Sequence, residues 1–258
     1  MSEQPSIDGT RLDPAVYLEH VDSEAAALLA AADDLEAAVP GCPGWTVRDL
    51  LSHVVGVYRH KIVVLDTDAQ PPARDDAWGA IPDGADPRDV LREVHAALRE
   101  RLRAREASAP TYAWWPPEQT VGFWQRRMAQ ETAVHRWDAE SARDGVDGAS
   151  PVDADLAADG IDELLGWLTW PWDDDPQSAA SGQSVVVSTA DHTWTVTLHP
   201  TRVEVAGGGS DDAVALLAGE PSGLLLHLWG RPGEHGVAVA GDETALALLR
   251  ERLATATT

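Results

Sequence analysis

Apolar residues recur every three or four positions in four stretches of the first half of the chain, a spacing typical of amphipathic helices. The predicted helices cover residues 13–38, residues 47–65, a stretch that opens at Pro87, and residues 119–143. Four such helices within about 140 residues predict a four-helix bundle. Sites in bundle cores are commonly built from inward-facing side chains on neighbouring helices.

The predicted starts of the second and third helices rest on capping residues. Thr46 is a good N-cap, and Asp49 follows three residues later in an arrangement like a capping box. Asp86 followed by Pro87 is the pattern of an N-cap with proline at the first helical position. These pairs fix where the two helices begin.

The fourth predicted helix, Gln119 to Arg143, carries two ionisable residues on its apolar face. At 100° per residue, its apolar arc comprises Val121, Trp124, Met128, Ala139 and Ala142. Glu131 and His135 fall inside that arc, one turn apart. A carboxylate and an imidazole directed into a core are costly unless a partner pairs with them.

Further histidines lie on the neighbouring helices. His53 sits at the edge of the apolar face of the second helix, and His60 lies two turns further along the same edge. A histidine in such a place is usually half-buried and hydrogen-bonded. His95, on the third helix, stands away from the apolar stripe and is predicted to be solvated.

After Asp144 the pattern changes from helices to a mixture of strands and helices. Alternating apolar residues predict short strands at 184–188, 194–198, 202–205 and 237–239. The predicted helices are residues 156–168, 210–217, 222–229 and 242–253. The fold class expected is therefore α plus α+β: a helical bundle at residues 1–145, then a smaller α+β domain at residues 146–258.

The 258-residue chain has a formal net charge of −24, which argues against binding nucleic acid through its phosphates. It holds no run of ~20 apolar residues that would span a membrane and no secretory signal pattern. We therefore expect a cytoplasmic protein that acts on small molecules. Cys42 is the sole cysteine, so no internal disulfide can form. It has no histidine or lysine nearby in sequence and is predicted to be structural.

His53, Glu131 and His135 together form a donor set that suits a metal ion. Catalytic zinc takes three protein ligands from histidine and carboxylate side chains and keeps a fourth position open. Glu131 and His135 supply two ligands from one helix, and His53 supplies the third from another. The alternative interpretation is a buried polar network without metal.

Three segments resemble the mycothiol-dependent maleylpyruvate isomerase family, which belongs to the DinB-like metal-binding bundles. The segments are VPGCPGWTVRDLLSH at residues 39–53, ETAVHRWD at 131–138, and LLLHLWGR at 224–231. The resemblance implies a DinB-like bundle with a divalent metal, usually zinc, on His53, Glu131 and His135. It also implies that Arg231, from the second domain, reaches the active site and binds an anionic substrate or the thiol cofactor, mycothiol.

The chemistry that the resemblance implies is thiolate addition. A thiol in the open metal position would be deprotonated at neutral pH, would add to the cis double bond of maleylpyruvate, and would leave after bond rotation. The same thiolate would equally serve S-transfer to another electrophile. Arg231 can pair with a carboxylate in a bidentate manner, or it can cap the carbonyls at a helix C-terminus.

Two other functions stay open from the sequence. One is a zinc hydrolase, whose open position holds hydroxide and whose general base would be Asp138 or Glu140. The other is a non-catalytic module that binds a metal or ligand with vestigial active-site groups.

Overall fold

The computed structural model describes residues 9–73, 76–170 and 178–256. Contacts divide the chain into two compact units, one formed by residues 13–150 and the other mainly by residues 151–258. The first unit is helical and the second, smaller one is α+β, which confirms the predicted fold class. Within the described residues, no helix combines the length and apolar character that a membrane crossing needs.

Among the described residues, the first unit consists of four long helices and two short 3-10 segments. The helices are α1 (Pro14–Ala31), α2 (Val47–Thr67), α3 (Pro87–Arg103) and α4 (Val121–Asp144), and the 3-10 segments are Asp76–Gly79 and Val146–Gly148. Helix α4 packs against each of the other three. Its most extensive packing is with α1, while α2 packs mainly on α3.

The predicted caps form as the sequence indicates. Thr46 and Asp49 make a reciprocal capping box, in which each side chain accepts a hydrogen bond from the backbone amide of the other. Asp86 accepts from the amide of Arg88, and Pro87 occupies the first turn of α3. These caps satisfy amides that the helix itself leaves without partners.

Helix α1 ends at Ala31, seven residues before its predicted end at residue 38. The residues after it serve the start of α2 instead. The carbonyl of Leu35 accepts from the amide of Arg48, and that of Ala37 accepts from the amide of Val47, both at 2.9 Å. First-turn amides lack partners within their own helix, so these bonds favour an extended backbone over another helical turn.

Two buried polar contacts fix α4 against its neighbours. Arg136 donates to Glu24 of α1 at 2.7 Å and to Glu140 on its own helix at 2.9 Å. On the other side, the hydroxyls of Tyr58 on α2 and Thr132 on α4 lie 2.6 Å apart. The first contact joins α4 to α1, and the second sets the register in which α2 and α4 face one another.

Over the part that the structure describes, the second unit is a five-stranded sheet with three helices. The strands are β1 (Gln183–Ser188), β2 (Thr193–Leu198), β3 (Val203–Gly207), β4 (Ala215–Ala218) and β5 (Ala238–Gly241), in the order β3-β2-β1-β4-β5. The helices are α5 (Ala154–Trp167), α6 (Pro221–Leu228) and α7 (Glu243–Ala256). All sheet neighbours are antiparallel except β1 and β4, which are parallel.

Alternate residues of the sheet face the core of this unit. Val185, Val187, Trp194, Val196 and Leu198 are fully buried. The indole of Trp194 donates to Asp162 of α5 at 3.2 Å, and α7 packs against β1, β2 and β4. The four predicted strands are confirmed within a few residues.

The prediction of a helix at residues 210–217 is wrong. Residues 215–218 form β4, which pairs with β1 on one side and β5 on the other. Ala215 and Leu217 are buried while Leu216 is exposed, the alternation of a strand. Alanine and leucine favour helix in isolation, but pairing with two neighbouring strands overrides that preference.

We expect Tyr58→Phe to lower the free energy of unfolding by about 1 kcal/mol, because it removes one buried hydrogen bond between α2 and α4. Thr132 keeps its 2.6 Å bond to the carbonyl of Met128, so its hydroxyl stays satisfied. Urea denaturation measures the change. The control is Tyr112→Phe, which removes the hydroxyl of a partly exposed tyrosine and should cost less than about 0.5 kcal/mol. An equal loss of unfolding free energy in Tyr58→Phe and Tyr112→Phe would contradict the role of the Tyr58 contact.

Candidate metal centre

Helices α2 and α4 bring His53, Glu131 and His135 together. Oε1 of Glu131 lies 3.2 Å from Nε2 of His53 and 3.4 Å from Nε2 of His135. The two imidazole rings meet edge to face with their centroids 4.9 Å apart. Three potential ligand atoms of these residues, one from each, all lie within 4.8 Å of one another.

This donor set fits a zinc ion. Zinc–ligand distances of about 2.0–2.2 Å with tetrahedral angles place ligand atoms ~3.3 Å apart, close to the two Nε2–Oε1 separations. Two imidazoles and one carboxylate are a donor set found at catalytic zinc, with room for a fourth, exogenous ligand. The residues present therefore match what the metal requires.

Asp138 orients the ring of His135. Its Oδ2 lies 2.9 Å from Nδ1 of His135, three residues earlier on α4, and the carboxylate is fully buried. A proton held on Nδ1 by this contact leaves Nε2 directed at Glu131 and available as a ligand. A carboxylate on the far nitrogen of a metal-binding histidine is the usual arrangement.

Arg127 orients Glu131 from the preceding turn of α4. Its guanidinium donates to Oε2 at 3.2 Å, and its side chain is only 6% exposed. One carboxylate oxygen is therefore engaged by Arg127, while the other faces His53 and His135. This division of the two oxygens favours ligation through Oε1 alone.

The charges of the centre stabilise one another. Burial alone would raise the pKa of Glu131, but hydrogen bonds from His135 and His53, with the charges of His135 and Arg127, hold that pKa well below its ordinary value. Burial would lower the pKa of His135, but Asp138 and Glu131 accept hydrogen bonds from both its nitrogens and raise it. In the metal-free protein, Glu131 is therefore ionised and His135 binds a proton firmly.

His53 borders an open cleft of about 760 Å³. Trp45 and Trp78 contribute to its walls, and the ring of Trp45 lies 4.9 Å from that of His53 at an angle of 47°. The segment at residues 78–80 closes one side, where its carbonyls accept hydrogen bonds from Arg59. The cleft gives small molecules access to the His53 side of the centre.

The two carboxylates considered as bases for a hydrolase are both engaged. Asp138 contacts Nδ1 of His135, on the opposite edge of the ring from Nε2. Glu140 accepts from Arg136 and from the amide of Ser150. Neither observation favours hydrolysis.

The structure corrects the expectation for His95 and adds a contact for Cys42. His95 is not solvated, since its side chain is only 17% exposed, and Nε2 lies 3.4 Å from Asp22. Cys42 has no nearby histidine in sequence, but its Sγ lies 3.6 Å from Oδ2 of Asp138 and belongs with His135 and Asp138 to a second cluster of potential ligand atoms. A contact between residues 96 positions apart carries no local sequence signal.

The supporting roles of two residues were not predicted from the sequence, although their spacing offers a signal. Arg127 stands four residues before Glu131, and Asp138 stands three residues after His135, so each shares a helix face with its partner. A charged residue three or four positions from a candidate ligand on the same helix can hydrogen-bond to that ligand and orient it.

Arg231 lies just beyond the C-terminus of α6 in the second unit. It donates to the carbonyl of Trp229 at 3.3 Å, and its guanidinium lies 5.9 Å from the centroid of the Trp229 ring. Its own carbonyl lies 3.1 Å from Nε2 of His235. These contacts correspond to the helix-capping alternative; its role toward a substrate stays a prediction.

Comparisons with known proteins agree with the architecture. The family model described as the mycothiol maleylpyruvate isomerase N-terminal domain matches residues 18–140, a range that contains His53, Glu131 and His135. A search of curated proteins gave no match.

Two similar solved structures cover nearly the whole chain. One is the mycothiol-dependent maleylpyruvate isomerase, with a TM-score of 0.60 at 16% identity over 90% of this chain and 95% of that chain. The other is a mutant of that enzyme with one histidine changed to alanine, with a TM-score of 0.60 at 15% identity and the same coverage. At these identities the likeness is one of fold. The helical part of this chain is therefore similar to the N-terminal domain of the mycothiol maleylpyruvate isomerases.

Proposed function

We propose that this protein is a metal-dependent enzyme that uses mycothiol, as an isomerase of the maleylpyruvate type or as an S-transferase. The observation that carries the proposal is the convergence of His53, Glu131 and His135 on one point in a domain of this family. The similar solved structures are of an enzyme with that cofactor and that reaction in its name.

The chain's own residues hold and orient the metal. His53, Glu131 and His135 would bind zinc, while Arg127 and Asp138 keep Oε1 of Glu131 and Nε2 of His135 directed at it. Bound zinc would lower the pKa of a thiol in its open position, so that the thiolate is available at neutral pH. The cleft beside His53 provides the room for such molecules.

The reaction proposed is reversible addition of the thiol sulfur to an activated double bond. The new carbon–sulfur bond turns the double bond into a single bond, and rotation about it followed by loss of the thiolate gives the trans isomer. In S-transfer, the sulfur would instead stay bound to the electrophile. Either reaction needs a small electrophilic or unsaturated acid as substrate.

Arg231 is proposed to bind the carboxylate of this substrate, or the thiol cofactor. Its support is chemical: a guanidinium matches a carboxylate in a bidentate pair, and an acidic protein must supply local positive charge to an anionic ligand. The predicted domain bounds, a bundle at residues 1–145 and an α+β domain at residues 146–258, stay a prediction from the sequence. A cytoplasmic location, with neither nucleic acid nor membrane as partner, stays a prediction from the sequence.

Removing any ligand should abolish stable zinc binding. We expect the wild-type protein to retain about one zinc per chain after dialysis, and His53→Ala, Glu131→Ala and His135→Ala to retain little, because each leaves two protein ligands. Elemental analysis by mass spectrometry measures the content. The control is His60→Ala on the same helix, whose ring contacts Lys61 and Trp78 and which should keep its zinc. If His53→Ala and His135→Ala both retained zinc, the proposed metal site would be wrong.

Zinc affinity should fall as the pH falls through the raised pKa of His135. Zinc needs the unprotonated Nε2, and the folded protein holds this proton at a higher pH than free histidine does, so binding must release it. Below that pKa we expect about a tenfold loss of affinity per pH unit for each proton displaced. Glu131 is already ionised there, because its pKa lies well below its ordinary value. Competition with a chelator between pH 8 and pH 5.5 measures this, and a flat profile would contradict it.

Mycothiol should bind the zinc-loaded protein and not the metal-free protein, because the thiol occupies the open metal position. Calorimetry with both forms measures this difference, and turnover of maleylpyruvate by the loaded form tests the isomerase reaction. Arg231→Ala should raise KM for the acid at unchanged zinc content. Equal thiol binding by the two forms would overturn the thiol chemistry, whereas binding without turnover would leave S-transfer as the reaction.

A further inference from the structure

The turn at residues 39–45 is held in one conformation by its own backbone. The amide of Val39 donates to the carbonyl of Trp45 at 2.9 Å, the amide of Cys42 to Val39 at 3.1 Å, and the amide of Trp45 to Cys42 at 3.0 Å. The backbone positions of Cys42 and Trp45 are therefore fixed relative to each other and to the start of α2.

This turn contacts the environment of both histidines of the metal centre. The ring of Trp45 packs on that of His53 at 4.9 Å. The thiol of Cys42 lies 3.6 Å from Oδ2 of Asp138, the same oxygen that lies 2.9 Å from Nδ1 of His135. One short turn thus touches His53 directly and reaches His135 through Asp138.

The thiol has a physical effect on Asp138. A carboxylate oxygen can accept two hydrogen bonds, and donation to an ionised group is stronger than donation to a neutral one. A second donor on Oδ2 restricts the rotation of the carboxylate, and so holds that oxygen facing Nδ1 of His135. Asp138 is fully buried, and burial strengthens each hydrogen bond that its carboxylate accepts.

We propose that Cys42 is a positioning residue of the metal centre: its thiol holds Asp138, and through Asp138 the ring of His135. The inference rests on the metal site proposed above and goes beyond it by giving the sole cysteine a role. The alternative is a second ion bound by Cys42, His135 and Asp138, whose potential ligand atoms also lie close together. The 2.9 Å between Nδ1 and Oδ2 is a hydrogen-bond distance, shorter than the ~3.3 Å between two ligand atoms of one tetrahedral zinc, and favours the positioning role.

The test compares Cys42→Ala, Cys42→Ser and the exposed turn variant Pro43→Ala. Zinc affinity is measured by chelator competition, metal geometry by the visible spectrum of the cobalt-substituted protein, and the stability of the metal-free fold by urea denaturation. We expect Cys42→Ala to bind one zinc about tenfold more weakly, at the low end of the effect of outer contacts on metal sites, with a shifted cobalt spectrum. Cys42→Ser keeps a donor, but on a shorter bond to Cβ, so its loss of zinc affinity should be smaller than that of Cys42→Ala. Pro43→Ala should match wild type.

A double substitution separates positioning from a general effect on the fold. In an Asp138→Asn background, Cys42→Ala should cause no further loss of zinc affinity, because the thiol acts through that carboxylate. Wild-type zinc affinity and an unshifted cobalt spectrum in Cys42→Ala would overturn the positioning role of Cys42. They would leave the proposed metal site standing. Two zinc ions in wild type and one in Cys42→Ala would make Cys42 a ligand instead. A wild-type protein that binds no zinc would overturn both this inference and the proposed function.

Discussion

The pairing of Glu131 with two imidazoles and a guanidinium is the constraint on which the helical unit depends. A carboxylate on the inward face of a helix destabilises the fold unless charged or hydrogen-bonding groups surround it. Glu131 has His53, His135 and Arg127 within 3.4 Å. Because His53 comes from α2 and the other two come from α4, this pairing requires the two helices to keep one register.

Contacts outside the centre maintain that register. The Tyr58–Thr132 bond joins α2 to α4, and Arg136 joins α4 to α1 through Glu24. The protein thus surrounds its ionisable centre with buried polar contacts whose partners are already satisfied. Such an arrangement holds the ligand atoms in place, and the two Nε2–Oε1 separations of 3.2 and 3.4 Å are close to those at tetrahedral zinc.

The sequence predicted what depends on local pattern and failed where distant contacts decide. The 3.6-residue period and the caps located the four helices of the bundle, and Glu131 with His135 stood out because they interrupt an apolar face. The early end of α1 follows from carbonyls that serve α2, and β4 forms because two strands flank it. The contact between Cys42 and Asp138 depends on how the chain folds back on itself.

The most direct test of the account is the position of the metal in crystals of the zinc-loaded protein, located by anomalous scattering at the zinc edge. We predict a single peak within about 2.0–2.2 Å of Nε2 of His53, Oε1 of Glu131 and Nε2 of His135, with a fourth position open to exogenous ligands. A peak between Cys42, Asp138 and Nδ1 of His135, or zinc bound only at surface carboxylates, would contradict it.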